Sequence, residues 1–172
     1  RIGFPARLYD TTHSPGSNWA RVSGLRTLQG TTLGVLGLGE IGREMAGRAS
    51  AFGMKVLYHQ RNRLPEEIET PLGARHVSLD ELMSESDFIS VHLPMDETTE
   101  NLIDAAAFAK MKPGAMLVNI SRAHIVNREA LLAALESGRL GGAAFDVHYK
   151  EPGDEDDPLL AFPNVVLTPH TA

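Results

Sequence analysis

The stretch GVLGLGEIG sets Gly37, Gly39 and Gly42 in G-x-G-x-x-G register, after an apolar run and ahead of an amphipathic one. That spacing suits a dinucleotide. The first glycine permits a tight turn, the second lets the backbone approach a pyrophosphate, and the third allows close helix–strand contact. Backbone N–H groups around Glu40 and Ile41, at the start of the helix, would hydrogen-bond the phosphates with help from the helix dipole. A glycine-rich turn without a ligand is the alternative; the flanking strand and helix favour the dinucleotide.

Gln60 lies 18 residues after Gly42, where the acid that grips the adenosine ribose is expected. An Asp there would accept hydrogen bonds from both ribose hydroxyls of NAD and repel a 2′-phosphate. Two unit charges about 4 Å apart cost roughly 4 kcal/mol at an effective dielectric near 20. Neutral Gln60 removes that repulsion, and Arg61, with Arg63 in second place, can pair with the phosphate. The pattern favours NADP, with NAD possible. The competing reading keeps Gln60 on a NAD ribose and the arginines solvated.

Short apolar runs that alternate with amphipathic stretches must position these residues, the pattern of repeated strand–helix units in a parallel sheet. The strand candidates are residues 32–38, 55–59, 74–77, 88–93, 115–120, 142–147 and 164–169. Helices are expected over 40–53, 78–86, 104–114 and 127–138, with a further one from Asn18 to about Gly30. Ser78 with Glu81 forms a capping box, Asp104 and Asn127 suit N-caps, and Gly53 and Gly138 suit helix ends. The fold class is therefore α/β, a doubly wound parallel sheet of Rossmann type over residues 19–172. Residues 1–18, rich in Gly, Pro, Ser and Thr, read as a linker or arm. The acidic run 151–158, EPGDEDDP, reads as a surface loop.

The chain has 172 residues, 42% of them hydrophobic, enough for one well-buried domain. Sixteen Lys and Arg against 22 Asp and Glu give a net charge of -6 and disfavour a nucleic-acid partner. Cysteine is absent, which excludes disulfides, thiolate nucleophiles and Cys-based metal sites; no metal is expected. No apolar run nears the roughly 18 residues of a membrane span, so no membrane partner and a cytoplasmic location are expected. A start at Arg1 and an end at LTPHTA read as a fragment.

Three further blocks, NISRAHIVN (119–127), AAFDVHYKEP (143–152) and NVVLTPHTA (164–172), resemble in order and spacing the signatures of the D-2-hydroxyacid dehydrogenases. That family includes formate, phosphoglycerate, phosphite and glyoxylate/hydroxypyruvate enzymes. The likeness runs from about Trp19 to the end and implies a dinucleotide domain inserted in a smaller substrate domain that is largely absent here. It further implies three catalytic residues. Arg122 would grip a 2-oxo acid bidentately. His170 would protonate the carbonyl oxygen as hydride arrives, or take the hydroxyl proton in reverse. Glu151, five residues beyond Asp146, would orient that imidazole and favour its charged form; its rival role is membership of the acidic loop. Pro94 in VHLP, Thr98, Ile120, Ser121 and Asp146 are implied on the cofactor side, Asp146 facing the carboxamide. His92 is as readily packing as cofactor contact, and His124 can line the cleft. His13, His59, His76 and His148 are read as structural. Ala123 and His124 stand where the family usually has Gly after the arginine, which narrows the cleft.

The expected activity is hydride transfer between NADP(H), or NAD(H), and C2 of a small 2-oxo or D-configured 2-hydroxy acid, with glyoxylate or hydroxypyruvate as candidate substrates. Formate-like YHQRNRLPEE (58–67) raises a formate- or phosphite-type alternative, although formate dehydrogenases carry Gln where this chain has Glu151. Relatives that act as dinucleotide-sensing corepressors supply a rival from another class. The resemblance also implies a homodimer, and the fragment alone can bind cofactor and catalyse nothing.

Overall fold

The computed structural model describes residues 27–171. Seven strands form one sheet: β1 (Thr32–Leu36), β2 (Lys55–His59), β3 (Ala74–His76), β4 (Phe88–Val91), β5 (Ala115–Asn119), β6 (Leu140–Phe145) and β7 (Val165–Leu167). Their order is β3-β2-β1-β4-β5-β6-β7, and every pair is parallel. The helices between them are α1 (Glu40–Ala51), α2 (Glu66–Leu72), α3 (Leu79–Glu85), α4 (Ala105–Lys110) and α5 (Arg128–Glu136). The chain winds outward from β1 through β2 to β3, returns to the other side of β1 at β4, and winds outward again. The reversal leaves a crevice at the carboxyl ends of β1 and β4, the place where doubly wound sheets bind ligands.

Both faces of the sheet are covered, so the strands read as continuous apolar runs. Alternate side chains divide between two cores. Leu33, Val35, Val56 and Tyr58 pack on Ala46 and Ala49 of α1. Leu36, Leu57, Ile89, Val91 and Leu117 pack on Leu82, Phe108 and Leu131 of the other helices.

The expected elements recur with trimmed ends, except that β6 starts two residues earlier, at Leu140, to pair with Ala115. Asp104 and Asn127 cap their helices, accepting from the N–H groups of Ala107 (2.9 Å) and Ala130 (3.0 Å). The capping box is only half formed. Ser78 Oγ accepts from Glu81 N at 3.1 Å, but the Glu81 carboxylate pairs with Arg75 at 2.7 Å instead of reaching back. Gly53 and Gly138 end α1 and α5 in the left-handed region. Helix α2 has no counterpart in the sequence pattern: it contains Pro71, and its buried residue is the charged Glu69 rather than an apolar anchor. Of the expected helix from Asn18 to Gly30, residues 27–30 form a turn; the remainder, and the arm 1–18, lie outside the described residues. No helix among the described residues is long and apolar enough to cross a membrane.

Leu117, on the inner strand β5, is fully buried, whereas Val166 on the edge strand β7 is 52% exposed. Leu117→Ala should cost about 2–5 kcal/mol in urea unfolding, through lost transfer energy and a residual cavity. Val166→Ala should cost less than about 1 kcal/mol.

Candidate functional site

The glycine turn after β1 is shaped by what its residues lack. Gly37 has φ +92, and a Cβ there would lie 3.0 Å from the carbonyl of His92 at the end of β4. A Cβ on Gly42 would lie 2.1 Å from the carbonyl oxygen of Gly37, so α1 can press onto the turn only without that side chain. Gly39 differs: nothing lies within 4 Å of where its Cβ would be. It is the N-cap of a 12-residue helix and has no side-chain cap. Bare backbone at the positive end of α1 thus faces open space, with exposed Glu40 and Ile41 in the first turn. This is the cradle a pyrophosphate needs, and the chain fits a dinucleotide here.

Beside it a cleft of about 410 Å³ runs between the ends of β2 and β4, lined by His59, Gln60, Arg61, Pro94, Asp96 and Thr98 among others. Gln60 is not a vacant position. Its Oε1 accepts from the N–H of Leu38 inside the glycine turn at 2.9 Å, and its Nε2 donates to the Asn62 carbonyl at 2.7 Å. Arg61 is exposed and makes one long hydrogen bond, 3.4 Å, to Thr98 Oγ1. Thr98 donates to Asp96, and those bonds, side-chain first and then backbone, hold the Asp96 carboxyl below its usual range.

Arg63 corrects the expectation that it could assist Arg61. Its Nε and Nη2 donate to the Glu69 carboxylate at 3.0 and 2.7 Å. Glu69 is buried and also accepts from Tyr58 Oη at 2.5 Å, while Tyr58 Oη accepts from Leu64 N at 2.8 Å. A buried carboxylate needs its charge matched, so Arg63 is consumed in anchoring the loop that presents Arg61. The spacing of six residues gave no sign of this pairing.

Past β4 and β5, Ser121 Oγ donates to the Leu93 carbonyl, joining the two strand ends. Buried Asn119, which sequence reasoning missed, organises the next turn. Its Oδ1 accepts from Ser121 N at 3.0 Å and its Nδ2 donates to the Arg122 carbonyl at 2.9 Å. Ile120 is half-buried at the same strand end. Arg122 is exposed, and its Nη1 donates to the Ser121 carbonyl at 2.7 Å. Ala123 is buried in a single 3-10 turn, and His124 stands edge-on to Tyr149, ring centroids 5.5 Å apart. His92 sits below the switch point with Nε2 2.8 Å from Ser90 Oγ; burial lowers its pKa, favouring a neutral ring.

At the other end, His170 Nδ1 lies 2.8 Å from Glu151 Oε1. The same oxygen accepts from the backbone N–H of His148 at 3.3 Å. That backbone bond, then the His170 contact, holds the Glu151 carboxyl below the usual carboxylate range. His170 has φ +57, a conformation unusual outside glycine and characteristic of functional sites. Asp146 is buried and accepts from Thr168 Oγ1.

Glu151 and His170 are thus joined, while Arg122 makes no hydrogen bond or ion pair with either among the described residues. Register nevertheless puts all three on one edge. Asn119, Phe145 and Leu167 are successive partners across β5, β6 and β7, and Arg122, Glu151 and His170 follow them beyond the carboxyl ends. With strands about 4.8 Å apart, β5 and β7 are separated by roughly 10 Å.

This fold and edge are those of a nicotinamide-dinucleotide-binding protein. The profile of the D-isomer specific 2-hydroxyacid dehydrogenase NAD-binding domain matches residues 7–172, and the chain belongs to that family. A glyoxylate reductase from Aeropyrum pernix is 48% identical over 145 residues, 84% of this chain and 43% of the relative. D-mandelate dehydrogenase from Rhodotorula graminis superposes with a TM-score of 0.82 at 40% identity, covering 93% of this chain and 48% of that one. A Granulicella formate dehydrogenase gives 0.85 at 34% identity, covering 94% and 43%. The chain therefore spans less than half the length of these relatives.

The Glu69 network makes a prediction about acid stability. Hydrogen bonds from Arg63 and then Tyr58 bring the Glu69 carboxyl down to about 2. The folded value lies below the unfolded one, so the stabilisation is complete above the ordinary carboxylate range and fades as pH falls toward about 2. Urea midpoints measured from about pH 5 down to about pH 2.5 should fall less steeply in Glu69→Gln than in the wild type. Parallel curves would remove Glu69 from the acid limb.

Proposed function

We propose that this domain belongs to a reductase moving hydride between NADP(H) and C2 of a small 2-oxo or D-2-hydroxy acid, with glyoxylate or hydroxypyruvate as the favoured substrates. The observation that carries the reading is the 2.8 Å pairing of His170 Nδ1 with Glu151. A carboxylate on Nδ1 requires that nitrogen to hold its proton, which leaves Nε2 as the working atom.

In this reading Gly39 and the first turn of α1 hold the pyrophosphate, with the Glu40 and Ile41 N–H groups as donors, and Pro94, Thr98, Ile120, Ser121 and Asp146 line the rest of the dinucleotide. When bound, the nicotinamide supplies or accepts the hydride. Arg122 holds the substrate carboxylate and carbonyl oxygen through two N–H groups. His170 passes the proton on Nε2 to the carbonyl oxygen during reduction and takes it from the hydroxyl during oxidation; Glu151 keeps the ring oriented and balances its charge. Following the family, the protein acts in the cytoplasm as a homodimer.

The likeness to formate dehydrogenase bears on the alternative. Formate oxidation moves no hydroxyl proton, so a Glu151–His170 couple favours the hydroxy acid. Turnover of formate or phosphite in preference to every 2-oxo acid by the full-length protein would reverse the assignment.

For the cofactor, neutral Gln60 and exposed Arg61 support NADP. kcat/KM should be higher with NADPH than with NADH, and Gln60→Asp should invert the order. Arg61→Ala should lower the NADPH value by at least about tenfold, the weight of one charge-assisted hydrogen bond, while sparing NADH. A wild type that favours NADH overturns this part.

The proton step fixes a pH dependence. The protonated ring is the acid in reduction and the neutral ring the base in oxidation, so rising pH should weaken 2-oxo acid reduction and strengthen oxidation. His170→Asn should lower both directions by about 10²- to 10⁴-fold. A reduction rate that stays flat, with chemistry rate-limiting, excludes His170 as the acid.

A further inference from the structure

We infer that His148 is a positioning residue for the Glu151–His170 pair, an inference that rests on reading that pair as the acid–base couple. Its own place in the sequence suggested a structural histidine, and the structure shows what it structures. The backbone N–H of His148 donates to Glu151 Oε1, the oxygen that also meets His170. Its ring Nε2 lies 2.9 Å from the carbonyl oxygen of Thr168, two residues before His170. A carbonyl can only accept, so Nε2 carries a proton there.

One residue therefore latches two separate segments. Thr168 is held from three sides: its N–H donates to the Phe145 carbonyl at 3.0 Å, its hydroxyl donates to Asp146, and its carbonyl accepts from His148. Glu151 is held on the other segment through the His148 backbone. The latch matters because the pair has little else to fix it. The side chains of Glu151 and His170 are 46% and 40% exposed, a setting in which an ion pair alone orders little. The strand leading to His170, β7, is a three-residue edge strand. His170 also holds its unusual φ only if the preceding backbone is pinned. Without His148, Thr168 keeps its bonds to Phe145 and Asp146, but the carbonyl that leads into Pro169 and His170 loses its His148 partner; the Nδ1–Glu151 contact would then loosen and Nε2 would lose its aim. The glycine turn, at the opposite half of the edge, would be unaffected.

The test uses the full-length protein with His148→Phe, which keeps the ring and removes the donor, and His148→Gln, whose Nε2 reaches the same point. At a pH where the ring is neutral, nitrogen-15 NMR should find His170 of the wild type mainly as the Nδ1–H tautomer. His148→Phe should shift it toward Nε2–H, and His148→Gln should restore it. With a 2-oxo acid, His148→Phe should lower kcat about tenfold and leave KM for the dinucleotide within about twofold, with His148→Gln recovering most of the loss. Should His148→Phe fail to fold, His148→Asn gives the same reading, since its amide matches Nδ1 and falls short of Thr168. An unchanged His170 tautomer in the variant that folds overturns the inference. A tautomer that responds in a protein that turns over no 2-oxo acid sinks the functional reading and leaves the latch standing.

Discussion

The contact on which everything else rests is that of two glycines. With Gly42 against the Gly37 carbonyl, and Gly37 against the end of β4, α1 starts directly over the crevice opened by the reversal of strand order. A side chain at either point would push the helix from the sheet, and the uncapped N–H groups beyond Gly39 would no longer face the crevice. Gln60 ties this turn to the end of β2 through Leu38. The side chain proposed to face the cofactor's ribose thus also holds the turn.

The cofactor edge also shows how an acidic chain allocates its cations. Of the two arginines after β2, Arg63 neutralises a buried carboxylate and Arg61 stays exposed in the cleft. The division follows from solvation. Glu69 is buried beneath Tyr58 and the loop, where an unpaired charge is costly, and the guanidinium that matches it is not free for a phosphate. The network is then a support for Arg61 rather than a rival to it.

The proposed catalytic edge is built on the same plan, with buried or half-buried polar groups holding more exposed ones. Asn119 bonds to both sides of the turn that carries Arg122. Asp146 and His148 hold Thr168, and through it the segment that ends in His170. In both turns the side chain that would meet substrate is solvent-facing, and its aim is set by a neighbour whose hydrogen bonds are satisfied internally.

The sequence by itself determined the parallel α/β sheet, its seven strands and the glycine turn, while the three residues proposed as catalytic were named through the resemblance of contiguous motifs. Those features are written in local periodicity, in glycines that no other residue replaces and in contiguous motifs. Helix α2 escaped because Pro71 and buried Glu69 break the apolar pattern that announces a helix. Tertiary structure alone decided who pairs with whom: Arg63 with Glu69, Gln60 with Leu38, Asn119 with the Arg122 turn, and His148 with Thr168. Each is a hydrogen bond whose partner is chosen by through-space adjacency after strands from distant parts of the chain have aligned. Residue type declares only that a donor exists; the packed sheet decides which acceptor it meets.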